Sequence, residues 1–256
     1  MRDIEIPYVE KRGKRYRFFE MLPGLITWTI LILPFVLSRI SPRLTVLFII
    51  AYLLLWFVKA IGLDIRALQG YGRLQQHKKL PWQNMFEDIT TGKARQYDQP
   101  IPEWHAGNIE RLQTNPVPIQ TKNIIHAVII ASYNESREVL EPTLKAVLDS
   151  DFPMNRVVLV LAYEGRDGAQ SETAVLELIS EYRSRFKHAF ATKHPLTEGE
   201  VRGKGGNITF AGRELQRYLT KESIDPLNVI VTTLDSDNRP HPKYLSAAAY
   251  MYAVTP

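Results

Sequence analysis

Asn228-Val-Ile-Val-Thr-Thr-Leu-Asp-Ser-Asp-Asn-Arg-Pro240 joins an apolar, β-branched run to two carboxylates one residue apart. The run reads as a buried strand. Asp235 and Asp237 then stand at its C-terminal end, where open α/β sheets bind ligands. Two close carboxylates repel unless a cation or hydrogen-bond donors compensate them. Hard divalent ions such as Mg2+ take oxygen ligands and are often held by one or two carboxylates plus substrate phosphates. A solvated acidic turn is the other reading, because Asp and Asn are common turn residues.

Upstream of this stretch, apolar runs alternate with helical spacing. Residues 124–131 read as a strand, and 143–148 as a helix with Pro142 at its first turn. Strands are expected at 157–162 and 188–192, and helices at 171–186 and 207–219. After the 229–234 strand, residues 244–252 start another helix. This alternation predicts a mostly parallel sheet with helices on both faces. Three strand ends then share one edge: Ala131-Ser-Tyr-Asn-Glu135, Tyr163-Glu-Gly-Arg-Asp167 and the Asp235/Asp237 pair. Taken together they favour a site over three ordinary turns.

Arg202-Gly-Lys-Gly-Gly-Asn207 precedes the 207–219 helix. Its glycines let backbone approach a ligand and its cations suit phosphate; a flexible Gly-rich loop is the plainer reading. A phosphate-binding P-loop is excluded, because both the Gly spacing and the hydroxyl after the Lys are missing.

The rest of the chain bounds the setting. With 256 residues and no cysteine, it has neither a disulfide framework nor a thiolate metal site. The net charge of +5 is mild, and no nucleic-acid partner is expected. From Phe18 to Ile61 the sequence is dominated by apolar residues, with the link Ser38-Arg-Ile-Ser-Pro-Arg43 between two runs long enough to span a bilayer. A signal peptide would show one short apolar core and a small-residue cleavage site. A buried hairpin of a water-soluble protein is the second alternative. Lys11, Arg12, Lys14, Arg15 and Arg17 precede the hairpin; Lys59, Arg66, Arg73, Lys78 and Lys79 follow it. That bias places both ends in the cytoplasm. Trp82, Met85, Phe86 and Ile89 make one apolar helix face, suited equally to a lipid interface or to packing on the next domain. Residues 97–121 read as an irregular connector.

With these elements in order, the chain resembles the membrane-embedded family 2 glycosyltransferases, the group that includes cellulose and hyaluronan synthases. Ala131-Ser-Tyr-Asn-Glu135 is similar to the family's first-strand motif, which holds the uracil and ribose of the donor. Glu164 stands where the family has the second Asp of an Asp-Asp-Gly motif contacting uracil. Tyr163 replaces the first Asp, a departure from the pattern. Lys204-Gly-Gly-Asn207 is similar to the loop near the diphosphate, and Leu234-Asp-Ser-Asp237 to the metal-binding Asp-x-Asp motif.

The resemblance implies a GT-A fold, Rossmann-like and mostly parallel, incomplete at its C-terminus and preceded by a two-helix transmembrane hairpin. It implies an inverting hexosyltransferase of polysaccharide biosynthesis in the cell membrane, its GT-A domain cytoplasmic. The partners are a nucleotide-sugar, UDP-linked in this family, a glycan or lipid-linked acceptor, and the bilayer. Ala131, Ser132, Tyr133, Glu135, Glu164, Lys204, Gly205 and Asp235 are the implied donor contacts. Asp235 and Asp237 are the implied ligands of Mg2+ or Mn2+. The family's general base and acceptor motif are expected beyond Pro256. A non-catalytic membrane-anchored binding module is the rival reading. A nucleotide-sugar-forming nucleotidyltransferase would show a Gly-rich signature after the first strand, which Ala131–Glu135 is not. The expected divisions are a basic N-terminus at 1–17, the hairpin at 18–61, an interfacial linker at 62–121 and the donor-binding part at 122–256.

Overall fold

The computed structural model describes residues 12–115, 119–165, 168–195 and 204–255. Lys11, Arg166, Asp167, Arg202 and Gly203 of the motifs above lie outside the described residues. The chain divides into two compact units, Met1–His77 and Lys78–Pro256.

The first unit contains helices α1 (Lys14–Ile40) and α2 (Pro42–His77), which touch each other. Only Ser41 separates them. Proline cannot continue the hydrogen-bond ladder of α1, yet it suits the first position of a new helix. By length and composition both helices are apolar enough to cross a membrane, and neither buries a residue. A hairpin in a water-soluble core would bury an apolar stripe, whereas Trp28, Phe35, Trp56 and Phe57 are all more than half exposed. The hairpin is also longer than its apolar stretch, since α2 continues from Ile61 to His77.

The second unit begins with α3 (Trp82–Thr91) and α4 (Glu103–Thr114). Within the stretch expected as a linker at 62–121, the first part extends α2, and α3 and α4 belong to the second unit. The 97–121 connector contains α4, whose apolar signal is weak because long-range polar contacts hold it. His105 places Nδ1 3.0 Å from the Tyr250 hydroxyl and Nε2 3.3 Å from Asp88 Oδ2. The apolar face of α3 is settled in favour of packing: Trp82, Met85, Phe86 and Ile89 are all buried in one core with Tyr250 and Ala249.

Four parallel strands follow: β1 (Ile125–Ala131), β2 (Val157–Glu164), β3 (His188–His194) and β4 (Val229–Asp235), in the order β3-β2-β1-β4. Between and after them come α5 (Arg137–Leu148), α6 (Ala169–Tyr182), α7 (Lys204–Lys221) and α8 (Tyr244–Val254). The chain moves outward from β1 to β3, then returns to the far side of β1. Right-handed crossovers thus put α5 and α6 on one face and α7 on the other. Both central strands are buried along their whole length, as strands covered on two faces must be. Alternate residues serve two cores. Val157, Leu159, Leu161 and Tyr163 face the side of α5, α6 and α8. Val158, Val160 and Ala162 face α7.

Pro142, expected in the first turn of α5, stands sixth in it. The helix forgoes one backbone hydrogen bond there, while Leu140, Thr143, Leu144 and Val147 bury its inner face.

Candidate functional site

The order in which strands are added reverses between β1 and β4, and ligands bind at the carboxyl ends of strands at such a switch point. Register fixes what meets there: Ala131 is level with Ala162 of β2 on one side and with Asp235 of β4 on the other. A cleft of about 680 Å3 opens at this edge. Ala131, Ser132, Tyr133 and Glu135 line it from the end of β1 and the loop beyond, and Glu164 from the end of β2. Lys204 and Asn207 enter from the first turn of α7, and Asp235, Ser236 and Asp237 from the end of β4. Eight of the nine residues singled out in the sequence therefore share one cleft. Gly205 does not line it, and a Cβ there would meet open space.

Each side chain owes its direction to local structure. Alternation along β2 sends Glu164 to the face of α7 and Tyr163 to the opposite face. There the Tyr163 hydroxyl donates to Glu172 on α6 at 3.0 Å. The Lys193 ammonium, and after it the Tyr163 hydroxyl, holds the Glu172 carboxyl below its ordinary value. The departure at Tyr163 thus belongs to helix packing, and Glu164, only 3% exposed, is the residue of that pair that lines the cleft.

The two aspartates sit on a braced turn. The Asn238 amide donates to the Asp235 carbonyl at 3.1 Å, and the buried Thr143 hydroxyl of α5 donates to the Ser236 carbonyl at 2.7 Å. Ser236 is buried beneath the turn while Asp235 and Asp237 are exposed. The Lys204 ammonium makes an ion pair with Asp235. Lys204 also opens α7, where the helix dipole favours negative charge.

Asn207 is the residue whose part the sequence left unassigned. Its Nδ2 donates to the carbonyls of Ser132 and Ala162, at 3.1 Å each, and so ties the ends of β1 and β2 to α7. Asn is a weak helix former, and its place in the first turn of an otherwise regular helix was the available signal. Thr143 gave no comparable signal, because its partner is a backbone carbonyl 93 residues away.

No group of three potential His, Cys, Asp or Glu metal ligands comes together among the described residues. At the end of β4 the cleft offers two carboxylates, Asp235 and Asp237, the first already paired with Lys204. Such a set does not enclose a cation by itself, but it fits a hard divalent ion whose remaining ligands are substrate phosphates and water. Asp149, Asp151 and Asp225 do not line this cleft. Asp151 instead accepts from Ser246 on α8 at 2.6 Å.

No protein-family model matches the chain, and no curated protein does either. Among solved structures, the chain is similar to S. aureus TarS, residues 1–349, at 20% identity and a TM-score of 0.33, over 49% of this chain and 31% of that one. It is also similar to a mannosyltransferase from Pyrobaculum calidifontis in complex with GDP-Man and Mn2+. There the identity is 16% and the TM-score 0.37, over 66% of this chain and 43% of that one. The chain spans less than half the length of either structure. Similarity of this degree transfers no substrate or residue role.

Proposed function

We propose that the second unit holds the donor site of a membrane-anchored glycosyltransferase that binds a nucleotide-sugar together with a divalent cation. One observation carries the reading. At the switch point of a parallel sheet, a single cleft gathers the Ser132–Glu135 strand end, Glu164, Lys204, Asp235 and Asp237. A basic side chain at a helix start and two carboxylates across from it are what a metal-bound diphosphate requires. Asp237 and Asp235 would hold the cation. When bound, it supplies positive charge against the charge that builds on a departing diphosphate. Lys204 adds a second, fixed cation beside the same phosphates, and its contact with Asp235 keeps it in place when they are absent. The donor side is what these residues build; the general base that must accept the acceptor's proton is assigned to none of them. The two apolar helices of the first unit support a membrane anchor, and a lipid-linked or glycan acceptor suits that setting.

The test is titration of the purified full chain with UDP, GDP and their sugar esters, with and without Mn2+, repeated on Asp237→Ala. The expected outcome is affinity that depends on Mn2+ and falls at least tenfold in the variant. Affinity indifferent to both metal and substitution would sink the assignment of Asp237.

A further inference from the structure

A second cavity, of about 470 Å3, opens at the other end of the sheet. Ile125 opens β1 there, and Arg156, Lys187 and Asn228 directly precede β2, β3 and β4. The seven residues of β1 separate this cavity from the cleft, about 20 Å of strand. It has no part in the donor site proposed above.

Donors dominate its polar lining. Lys122, Arg156 and Lys187 bring three cations, none of them ion-paired among the described residues. Asp225 is the one carboxylate in the lining, and its Oδ1 accepts from the Leu227 amide at 3.0 Å. Arg156 is held in place. Its Nε donates to the Ile124 carbonyl at 2.9 Å and its Nη2 to the Thr121 carbonyl at 2.8 Å, with the guanidinium over the Phe86 and Phe152 rings. Nη1 is left to donate. Asn228, only 8% exposed, accepts from the Gln120 amide at 3.2 Å, which leaves its Nδ2 as a second fixed donor. Like charges gathered around a concave surface raise its potential for an anion.

We propose that this cavity binds a phosphate monoester of a sugar, at a site separate from the cleft. Three cations and two fixed N–H donors suit the doubly charged phosphate group. The volume lies within the range of small-molecule sites, about 300–1,000 Å3, and exceeds what a bare phosphate fills. Asn123 and Asn155 line the remainder with carboxamides, each a donor and an acceptor, as sugar hydroxyls require. Among the described residues no aromatic ring lines the cavity, so a nucleotide base would find no stacking partner. Ile125 and Ile224 are its only apolar members there, too few for a lipid chain.

Isothermal titration of the full chain in detergent compares glucose 6-phosphate, glucose and inorganic phosphate, for the native protein and for Lys187→Gln. The Lys187 backbone N–H bonds to the Met154 and Val157 carbonyls, and its exposed side chain can be changed without disturbing them. Glucose 6-phosphate should bind about tenfold more tightly than phosphate or glucose, because it alone meets both parts of the lining, and Lys187→Gln should weaken it by about the same factor. Saturating UDP with Mn2+ should leave this binding unchanged. No binding of glucose 6-phosphate, or binding indifferent to the substitution, would overturn the site. Inorganic phosphate binding as tightly would overturn the sugar in the assignment. Displacement by UDP would place the ligand in the donor cleft and overturn a separate site.

Discussion

His126, second residue of β1, shows what burial does to a single titratable group. It is wholly buried, edge-on to the Phe152 ring at 4.7 Å. Burial pushes its imidazole down to about 4. An exposed histidine titrates near 6.5. Between these values the unfolded chain binds a proton that the folded chain refuses, so stability rises with pH across the window. The contribution is fully present above about 6.5 and declines as pH falls toward 4, by about 3 kcal/mol in all. His126→Phe, which cannot titrate, should flatten this part of the stability profile. Thermal melts of both proteins between pH 4 and pH 7 check it: parallel profiles would show that another group carries the acid sensitivity. A residue of this kind is illegible in sequence. His126 sits inside an ordinary strand run, and only its neighbours across the core, Phe152 and Leu245 among them, make it different from the exposed His241. Asp235, Asp237 and Lys204 are the opposite case, because their meaning lies in strand ends and a helix start that periodicity alone locates.

Elements α3, α4 and α8 are joined by a polar cluster inside an apolar one. Asp88 on α3 accepts from Tyr97 at 2.6 Å and from Arg95 Nε at 2.7 Å, and its Oδ2 is also close to His105 on α4. Burial alone would raise its carboxyl, but hydrogen bonds from Tyr97, Arg95 and His105 hold it below the ordinary carboxylate value. Around this cluster the rings of Trp82, Trp104 and Tyr250 lie within 6.0 Å of one another. Asp88→Ala would leave the Tyr97 hydroxyl and His105 without their acceptor. Losing hydrogen bonds to a buried charge costs about 2–3 kcal/mol. A thermal melt followed by tryptophan fluorescence should show a lowered midpoint with the native emission altered by the loosened Trp82–Trp104 pair. A midpoint within error of the native protein would mean that α4 is held by apolar packing alone. The same cluster explains what the sequence hid. The strands, α5 to α8 and the ligand edge were legible because period-two and period-3.6 patterns encode burial directly. The helix α4 was not, since its anchors are His105 on Asp88 and Tyr250, and Arg111 on the Val254 carbonyl. These bonds span up to 145 residues and leave no local periodicity. Pro142 misled for a related reason: four buried residues on α5 outweigh one missing backbone bond.

At the scale of the whole chain, the proposed anchor makes a prediction of its own. Helix α2 has 36 residues and is about 54 Å long, well beyond the roughly 30 Å hydrocarbon core it would cross. In the proposed anchor, its uncharged stretch, Leu44 to Val58, would make the crossing. The remainder, from Lys59 to His77, carries Arg66 and Arg73 and would lie in water. Lys and Arg also crowd the residues before Phe18, whereas the turn between the helices has only Arg39 and Arg43. Under the membrane anchoring proposed above, the positive-inside bias would direct both ends to the cytoplasm and the turn outward. Because the chain has no cysteine, Ser38→Cys introduces its only thiol, near the turn and in place of a hydroxyl that merely caps the Phe35 carbonyl. A membrane-impermeant maleimide should label that thiol in intact cells and fail to label it from the inner face of inverted vesicles. A thiol introduced at Ser223, in the second unit, should behave in the reverse way. Labelling of Ser38→Cys from the cytoplasmic face alone would invert the hairpin. Labelling of both thiols from one face, with the native chain released by alkaline carbonate, would show that α1 and α2 do not span the bilayer at all.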